Sequence, residues 1–483
     1  MMKNMVVMRI LRSNVMSFID NKRIYAELAN PVIASPERIR EIFAKAREMK
    51  GLEYDEVLAL LHLDDPRLIS EMYETSRWIK QEIYGNRLVL FAPLYVSNLC
   101  QNECLYCAFR AKNKKLVRKS LSQDEIREEV EFLLSQGHKR VLLVSGESYT
   151  ERGLNYIFDS IKTVYSVKTG NANIRRINVN IAPLSVDEFK RLYQQQIGTY
   201  QLFQETYHED TYKKLHLKGP KSDYEYRLNT MDRAFEAGFD DVGIGVLFGL
   251  ADWRYEILAL LNHINHLEQK FGIGPHTVSV PRLEPALNSE ISYDPPYAVS
   301  DEDFKKIIAV LRIAVPYTGI ILSTRESASM RRAAFDLGIS QISAGSRTNP
   351  GGYKHDDTHP TDIPEGERSQ FSLGDSRPLL EVTKDIVAHD HIPSYCTACY
   401  RLGRVGKDFM DLAKPGLIKQ NCLPNAMFTF AEYLHDFADA ELKIDGFKMI
   451  ERMIGEEINN EGLQRRVRKD LIEIENGHRD LYL

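Results

Sequence analysis

The sequence lacks any uninterrupted apolar run long enough to cross a bilayer, and neither sign of charge dominates it. Its formal net charge of −5 over 483 residues gives no reason to expect nucleic acid or an anionic membrane as a partner. Residues 1–19 have no clean apolar core and no small-residue cleavage site, so we expect no signal peptide. With 43% hydrophobic and 27% charged residues, the composition indicates an ordinary globular protein of the cytoplasm.

Cysteine is also scarce, because the whole chain has only six, and they fall into two widely separated groups of three. A disulfide framework is typical of small proteins with evenly spread cysteines, so this distribution argues against one. Two metal sites explain the grouping better. The groups are Cys100, Cys104 and Cys107, and then Cys396, Cys399 and Cys422.

Strand-like segments alternate with amphipathic helical patterns from Arg87 onward. Eight such units in about 260 residues are typical of a (β/α)8 barrel, whereas a doubly wound open sheet usually has fewer strands. We therefore predict an α/β fold with a TIM-type barrel over residues 87–385, a helical extension over 1–86 and a mostly helical domain over 386–483. The predicted strands cover residues 89–97, 140–145, 177–181, 199–204, 241–247, 277–282, 319–323 and 341–344. A helix is predicted over residues 223–237, and a long ordered loop over residues 346–370.

The first cysteine group has the spacing C-x3-C-x2-C and directly follows the first predicted strand. Three thiolates on one loop can hold a 4Fe–4S cluster by three of its irons, because soft sulfur ligands suit iron–sulfur chemistry. The fourth iron is then open to another ligand. A structural zinc site is the alternative, but zinc needs a fourth protein ligand and none is adjacent.

This spacing after strand one, with the aromatic Tyr106 beside it, resembles the radical S-adenosylmethionine (SAM) enzymes. The resemblance implies a radical SAM barrel whose first cluster binds SAM. Gly146 and Glu147 end the second predicted strand and look like the motif that holds the SAM amino group. Such a motif needs a close backbone approach and a carboxylate for an ammonium. Three more residues near strand ends are predicted to contact SAM: Asn180, Glu205 and Leu247.

Two strand ends carry charged residues whose partners the sequence leaves open. Glu205 can bind a ribose hydroxyl pair or a cationic group, and a surface salt bridge is the alternative. Ser323 and Arg325 end the seventh predicted strand just before a helix, where an unpaired arginine is electrostatically unfavourable. We therefore predict that these two residues bind a substrate carboxylate, which an arginine can clamp bidentately.

The second cysteine group has the spacing C-x2-C-x22-C and again leaves one metal position open, with zinc as a stronger alternative here. With this tail, the whole chain resembles the radical SAM tyrosine lyases that mature FeFe-hydrogenases (HydG type). The related tyrosine lyase of thiamine thiazole synthesis shares the barrel but lacks the three-cysteine tail. The segments that carry the likeness are 203–208, 272–282, 341–347 and 408–416.

The resemblance implies a two-stage reaction. SAM cleavage at the first cluster gives a 5′-deoxyadenosyl radical, and L-tyrosine then breaks into p-cresol and dehydroglycine. The family converts dehydroglycine to CO and cyanide at a second 4Fe–4S cluster, held here by the C-terminal domain. An extra labile iron leaves as an Fe(CO)2(CN) synthon for the hydrogenase H-cluster, and His276 matches the protein ligand to that iron. The implied partners are L-tyrosine, a reductant such as ferredoxin or flavodoxin, and other hydrogenase maturation factors.

His276 stands at the start of the sixth predicted strand, and hence at the bottom of the barrel. A strand of about six residues spans roughly 20 Å, so the second cluster is expected to plug the mouth opposite the SAM cluster. Two half-reactions at opposite ends need an interior channel for a small intermediate, and a solid barrel interior would contradict this hypothesis. The alternative for His276 is an ordinary histidine at a strand end.

Three residues depart from the pattern of this family. Glu284 stands where we expect a basic residue, Ser376 stands where we expect histidine, and Ser148 follows the Gly-Glu motif. They leave the cysteines and His276 intact but bear on the substrate side and on the fate of the product. Two other functions therefore remain open: a 2-iminoacetate synthase that stops at dehydroglycine, and a non-enzymatic iron–sulfur scaffold.

Overall fold

A computed structural model describes residues 17–148, 153–354 and 369–483, and its centre is a closed barrel of eight parallel strands. The barrel closes because its last strand pairs with its first, with Val89 opposite Gln341. Helices connect the strands and surround them, so the predicted (β/α)8 barrel is confirmed. The strands are β1 (Arg87–Ser97), β2 (Arg140–Ser145), β3 (Arg176–Asn180), β4 (Tyr200–Glu205), β5 (Val242–Val246), β6 (Thr277–Ser279), β7 (Gly319–Leu322) and β8 (Gln341–Ser343).

The helices lie before, around and after the barrel. Before it come α1 (Asn21–Ala29), α2 (Pro36–Ala46), α3 (Tyr54–Leu61) and α4 (Pro66–Tyr84). Around it lie α5 (Gln123–Ser135), α6 (Leu154–Ser166), α7 (Val186–Tyr193), α8 (Glu209–Leu215), α9 (Tyr224–Leu228), α10 (Thr230–Glu236), α11 (Trp253–Phe271), α12 (Glu290–Tyr293), α13 (Asp301–Ala314) and α14 (Ala328–Phe335). After it come α15 (Leu379–Ala388), α16 (Ala398–Arg401), α17 (Gly406–Ala413), α18 (Lys419–Asp436), α19 (Ala440–Glu457) and α20 (Glu461–Glu475).

Two predicted elements differ from the structure. The sixth strand was expected over 277–282 but ends at Ser279. Pro281 has no N–H group to continue the ladder, so the strand stops before it. One helix was expected over 223–237, where the structure has α9 and α10 with a break at Asn229.

The N-terminal helices are fixed to the bottom of the barrel by polar contacts with the turn before β8. Lys80 on α4 donates to the carbonyl of Phe335 at 2.8 Å, and Ser76 donates to that of Leu337 at 2.6 Å. Arg312 on α13 is fully buried, and its guanidinium donates to the carbonyl of Gly338 at 2.7 Å. These buried donors satisfy carbonyl groups that the turn would otherwise leave unpaired.

A ninth strand, β9 (Ile392–Ser394), was not predicted and attaches the C-terminal region to the barrel. It pairs in parallel with the lower part of β1, where Arg87 lies opposite Ile392, while β2 joins β1 only from Ala92 upward. The second cysteine group follows directly after this strand. It therefore lies below β2, at the bottom of the barrel. The division into domains at residues 86 and 385 remains a prediction, since β9 continues the barrel sheet.

Two further observations concern the remaining segments. Much of the loop predicted over 346–370 falls on residues 355–368, which lie outside the described residues. Among the helices that the structure describes, none combines the length and apolarity needed to cross a membrane.

Side chains on β1 alternate between two environments, as a pleated strand requires. Leu88, Leu90 and Leu94 point outward into the main apolar core beneath the helices. Phe91 and Tyr95 point into the barrel and line its interior. Inward positions of the barrel therefore supply the walls of any internal site.

One buried carboxyl group gives this fold a testable dependence on pH. Glu256 on α11 accepts hydrogen bonds from Thr206 and from the N–H of Tyr207, yet burial raises its pKa to about 8. Because the folded state binds this proton more tightly than the unfolded state, stability should fall as pH rises from about 4.5 toward 8, by up to ~1.4 kcal/mol per unit. We expect Glu256→Gln to lack this loss, so its free energy of unfolding should rise relative to the parent between pH 5 and pH 8.

Urea unfolding followed by circular dichroism at several pH values measures the difference. Glu461→Gln is the matched control, because that carboxylate is 87% exposed. A constant difference between Glu256→Gln and the parent at every pH would contradict the prediction.

Candidate active site and metal centres at the two ends of the barrel

A cavity of about 180 Å³ lies at the carboxyl ends of the barrel strands, and we call it the upper cavity. Strands β1, β2, β3, β4 and β7 and the loops after them supply most of its walls. This is the end of a (β/α)8 barrel where reacting groups are found. The upper cavity brings together the first cysteine group and every residue predicted for SAM and the substrate: Cys100, Cys104, Cys107, Tyr106, Gly146, Glu147, Asn180, Glu205, Leu247, Ser323 and Arg325.

The loop that carries the first three cysteines is held by hydrogen bonds to its own backbone. Arg118 donates to the carbonyls of Asn98 at 2.9 Å, Phe109 at 2.8 Å and Asn113 at 3.2 Å. A Cβ added at Gly146 would lie 2.3 Å from the carbonyl oxygen of Leu99. Glycine is therefore required there by packing against this loop, and the predicted contact of Gly146 with SAM stays a prediction.

The donor chemistry of these thiols fits an iron–sulfur cluster better than a single ion. Within the described part of the chain, no three cysteine, histidine or acidic side chains converge on a point where one ion could bind. A cubane cluster needs cysteines spread around a larger volume, as they are around this cavity. Burial raises the pKa of Cys100 to about 11, and coordination to iron would deprotonate such a thiol.

Gln370 is a residue that the sequence pattern did not indicate, and it connects Cys107 to the cavity wall. Its amide donates to the sulfur of Cys107 over 3.7 Å, and its carbonyl accepts from the hydroxyl of Tyr95 at 2.7 Å. Hydrogen bonds to cluster sulfurs tune the reduction potential of such a centre. Gln370 comes from the end of a long loop, where no periodic pattern marks it.

A buried network of charges forms one side of the upper cavity. Arg227 reaches both acidic residues, Glu147 at 3.1 Å and Glu205 at 3.4 Å, and Lys221 binds Glu205 at 2.6 Å. Burial alone would raise the pKa of Glu205, but Lys221 and Arg227 outweigh it and lower that pKa. Its ion pairs are therefore buried and not on the surface, against the alternative considered for Glu205. Lys221 and Arg227 lie away from any strand end, so the sequence pattern did not indicate them.

Glu205 also has an unusual backbone conformation. Its φ angle is 74°, in the left-handed region that residues other than glycine rarely adopt, and the pairing of β4 with β5 shifts its register there. A bulge of this kind turns a side chain to a new direction and is common next to active sites. Here it accompanies a carboxylate that points into the cavity.

The charges and rings of the upper cavity suit the parts of SAM. Glu147 is a carboxylate for an ammonium, while Arg227 and Lys221 are cations for a carboxylate. Tyr106 and Leu247 offer apolar faces for an adenine ring. SAM carries all of these groups, so the residues present fit it.

Arg325 is the cation of the cavity that has no acidic partner within ion-pair distance among the described residues. Its guanidinium stacks on Phe371, 3.3 Å from the ring centre. The backbone N–H of Arg325 donates to the hydroxyl of Ser323 at 3.4 Å. Burial lowers the pKa of Arg325, although Tyr95, Glu205 and Glu284 oppose that effect. A stacked guanidinium with free donors is well suited to a carboxylate.

A second, smaller cavity of about 50 Å³ lies at the opposite end of the barrel, and we call it the lower cavity. Cys396, Cys399 and Cys422 line it, together with His276. His276 directly precedes β6, and its N–H donates to the carbonyl of Val242 at 2.9 Å, which fixes it at the bottom of the barrel. The second cysteine group and this histidine therefore share one site, although they are distant in sequence.

His276 has a buried acidic neighbour. Its Nδ1 lies 3.5 Å from a carboxylate oxygen of Asp241, within ion-pair distance, and neither atom makes a hydrogen bond to any of the described residues. Burial lowers the pKa of His276, which keeps the imidazole neutral. A neutral histidine oriented through one nitrogen by a carboxylate is the usual arrangement of a metal ligand. The residues present thus fit a metal group in the lower cavity.

Buried arginines compensate the negative charge expected of the lower cavity. Arg87 and Arg140 line it, and Arg176 stacks on the ring of Tyr400, 3.2 Å from its centre. Burial lowers the pKa of Arg87, but the thiol of Cys422 and its neighbours raise it above the ordinary value. Each guanidinium has an Nε atom without a partner in the described structure. Such donors suit an anionic cluster or an anionic ligand beside it.

The two cavities are separate and have no lining residue in common. Along β1, Val89 lines the lower cavity and Phe91 lines the upper one, and Gln341 and Ser343 repeat this division on β8. Two residues of strand correspond to about 6.6 Å, so a single layer of side chains lies between the cavities. The barrel interior therefore contains two cavities, and the described residues leave no continuous channel between them.

None of the three departures from the expected pattern is among the described residues that line the two cavities. Ser376 is exposed and lines neither cavity. Glu284 is half-buried, and burial beside Glu326 raises its pKa above the ordinary value. Ser148 follows Glu147 at the edge of residues 149–152, which are not described.

Comparisons with known proteins agree with this geometry. A profile of the Radical SAM superfamily matches residues 94–261, and one of the Biotin and Thiamin Synthesis associated domain matches residues 279–391. The 2-iminoacetate synthase of Escherichia coli strain K12 is 32% identical over 364 residues, which are 75% of this chain and 92% of that protein.

Two solved structures of the FeFe-hydrogenase maturase HydG are similar over nearly the whole chain. One is 49% identical with a TM-score of 0.92, covering 97% of this chain and 100% of the other. The second, from Carboxydothermus hydrogenoformans, is 43% identical with a TM-score of 0.79, covering 93% of this chain and 96% of the other. The chain therefore belongs to the family of radical SAM enzymes that includes 2-iminoacetate synthase and the maturase HydG.

Proposed function

We propose that this enzyme cleaves L-tyrosine to p-cresol and dehydroglycine in the upper cavity and forms CO and cyanide from dehydroglycine in the lower cavity. The observation that carries the proposal is the lower cavity itself, where three cysteines meet a histidine that has a buried carboxylate beside it. A lyase that stopped at dehydroglycine would need no such site. The product is an Fe(CO)2(CN) unit for the H-cluster of an FeFe-hydrogenase.

In the upper cavity, the chain's own residues bind and orient the two reactants. Cys100, Cys104 and Cys107 would hold a 4Fe–4S cluster, which would supply the electron that splits SAM and so produces a radical. Glu147 and the Arg227–Lys221 pair hold the amino-acid end of SAM, with Tyr106, Asn180 and Leu247 beside its nucleoside. Arg325 binds the tyrosine carboxylate, with Ser323 next to it. The apolar walls exclude water, which protects a radical from side reactions.

In the lower cavity, the chain holds the iron that leaves as cargo. The carboxylate of Asp241 lies beside Nδ1 of His276, which leaves Nε2 as the atom that would hold that iron, and the arginines would balance negative charge. Cys396, Cys399 and Cys422 would hold a second 4Fe–4S cluster, which would supply the attachment point. Dehydroglycine contains the atoms of one CO, one hydrogen cyanide and one water. Two dehydroglycine molecules, from two tyrosines, therefore supply the two CO ligands of the product, while one of their two cyanides stays on the iron and the other is released.

Dehydroglycine has to pass from one cavity to the other. The layer between them is lined by small or flexible groups, because Gly243 faces the hydroxyl of Thr277 and the side chain of Gln201. A molecule of five heavy atoms can pass if Gln201 and Gln341 change rotamer. We therefore propose a transient interior path in place of a permanent channel.

The second candidate function is a 2-iminoacetate synthase that releases dehydroglycine. Its support is the 32% identity to such an enzyme over 75% of this chain. The two functions differ in the use of the lower cavity, so the decisive experiment replaces the cysteines that line it. For either function, we also propose a reductant such as ferredoxin or flavodoxin and other hydrogenase maturation factors as partners.

Replacing Cys396, Cys399 and Cys422 together by serine should abolish CO while p-cresol formation stays within about twofold of the parent. The reason is that the upper cavity keeps all its residues and the cavities share none. The reconstituted protein is supplied anaerobically with SAM, tyrosine and reductant, and p-cresol and CO are measured. Loss of both products would contradict the division into two sites, and CO from the variant would contradict the role of the lower cavity.

The same assay tests the interior path when labelled tyrosine is mixed with a pool of unlabelled glyoxylate and ammonium, which regenerates dehydroglycine in solution. In the parent, the CO should keep its full label, because the intermediate stays inside the barrel. Dilution of the label would show that dehydroglycine leaves the protein and re-enters.

Arg325→Gln should raise the KM for tyrosine by about 30-fold, because removing a charged, bidentate donor typically costs ~2 kcal/mol. Production of 5′-deoxyadenosine without tyrosine should stay near the parent value. The kinetics of p-cresol formation measure the first effect. Arg332→Gln is the matched control, since Arg332 lies on α14 and pairs with Asp385 at 2.7 Å. An unchanged KM for tyrosine would remove Arg325 from the binding site.

Asp241→Asn should weaken binding of the cargo iron by about 10- to 100-fold, because an amide does not fix the histidine tautomer as a carboxylate does. Iron content and the EPR spectrum of the second cluster measure this, while the spectrum of the first cluster serves as the internal reference. Asp240→Asn is the control, since Asp240 packs against Gly406 instead. Equal loss of iron in both variants would argue against the proposed role of Asp241.

A further inference from the structure

Two short segments concentrate positive charge in a chain whose formal net charge is −5. Residues 110–119 contain six lysines and arginines, residues 213–221 contain four lysines, and neither segment contains an acidic residue. The first segment follows Cys107, and the second begins in the last turn of α8. Nothing in the proposed chemistry requires this number of cations outside the upper cavity.

The two segments meet on the outer side of the loop that carries the first cysteine group. The N–H of Glu103 donates to the carbonyl of Lys218 at 2.9 Å, and the N–H of Leu105 donates to that of Leu215 at 3.0 Å. On the other flank, the N–H of Lys112 donates to the carboxylate of Glu103 at 2.9 Å. Residues 103–105, which include Cys104, therefore lie between the two basic segments.

Half of the lysines and arginines in the two segments already have partners. Arg110 pairs with Glu103, Lys119 with Glu125, Lys213 with Glu209 and Lys221 with Glu205, and Arg118 binds backbone carbonyls. The other five are exposed and have no acidic partner among the described residues. We call them the basic face: Lys112, Lys114, Lys115, Lys214 and Lys218.

The basic face also has an apolar component and a firm base. Leu217 is 55% exposed and Val117 is 48% exposed, and each lies within one of the two segments. Asn113 donates to the carbonyls of Ala108 at 2.8 Å and Leu287 at 3.0 Å, which fixes the first segment. A pre-ordered surface with apolar residues inside a ring of like charge is typical of a protein–protein interface.

We propose that the basic face is the docking surface for an acidic protein that donates single electrons to the cluster held by Cys100, Cys104 and Cys107. In the transfer, the donor loses one electron, the cluster gains it, and no atom changes place. The proposal rests on the radical SAM chemistry of the family and on the cluster site described above. Charge complementarity selects an acidic partner, and the position of the face over residues 103–105 selects an electron donor.

The opposite side of the cluster is not open to a donor protein, because the upper cavity and the barrel occupy it. A nucleic acid or an anionic membrane would also bind lysines. However, neither gains anything from docking above a cluster ligand, and the chain as a whole is acidic. The acidic electron donor is the occupant that the geometry favours.

The test combines charge reversal with two reductants. In the reconstituted full-length protein, Lys112, Lys114 and Lys115 are replaced together by glutamate, and cluster reduction by the reduced form of an acidic flavodoxin is followed by EPR. We expect a rate at least about tenfold below the parent at low salt, with the two rates converging as salt is raised, because screening removes steering by exposed charges. Flavodoxin binding measured by fluorescence anisotropy should weaken in parallel.

Photoreduced deazariboflavin, which is small and uncharged, should reduce the variant and the parent at the same rate and support equal p-cresol formation. This arm separates failure of docking from failure of the proposed lyase reaction. The matched control reverses Lys162, Lys448 and Lys469, which are exposed lysines on α6, α19 and α20, and should leave reduction by flavodoxin unchanged.

Three results would overturn the proposal. One is reduction of the variant by flavodoxin at the parent rate, and another is equal slowing of the control variant. The third is loss of binding to duplex DNA or anionic vesicles without any change in reduction by flavodoxin. Should the glutamate variant fail to retain its cluster, the corresponding glutamine variant removes the charge without reversing it and is expected to show a smaller loss of rate.

Discussion

The pairing of β1 is the constraint on which the rest of this structure depends. With 11 residues, this strand is longer than any other in the barrel, and its lower part pairs with β9 while its upper part pairs with β2. Cys100 follows its upper end, and Arg87 at its lower end lies against the second cysteine group. A shift of register here would move both metal sites at once, since each is built on this strand.

Electrostatics differ at the two ends of the barrel for a physical reason. In the upper cavity, acidic and basic side chains alternate and neutralise each other until a zwitterionic ligand with its own charges enters. In the lower cavity, Arg87 and Arg140 lie beside three thiols, and the Nε atom of each has no hydrogen-bond partner among the described residues. Buried donors without partners are costly, and negative charge in this site would offset that cost. Each end is therefore prepared for a different kind of ligand.

Much of the fold and of the candidate sites could be predicted from the sequence, because strand periodicity and cysteine spacing are patterns of neighbouring residues. The alternation of strands and helices predicted the eight barrel strands, and the two cysteine groups predicted two sites. Pro281 shows the limit of periodicity, since one missing N–H group ended a strand whose apolar pattern continued. Lys221, Arg227 and Gln370 could not be found in this way, because they reach the upper cavity from loops whose course depends on packing.

The sequence by itself determined which chemistry the chain carries, because cysteine spacing within one loop is a local property. It also determined that the first cysteine group faces the carboxyl end of the barrel, since strand direction fixes that, whereas the place of the second group depends on the pairing of β9 with β1. Only the tertiary structure decided that Asp241 lies against His276, that one layer of side chains separates the cavities, and that two basic segments meet beside Cys104. These contacts join residues that are distant along the chain. Their distances depend on how β1 and its neighbours close the barrel, which no local pattern encodes.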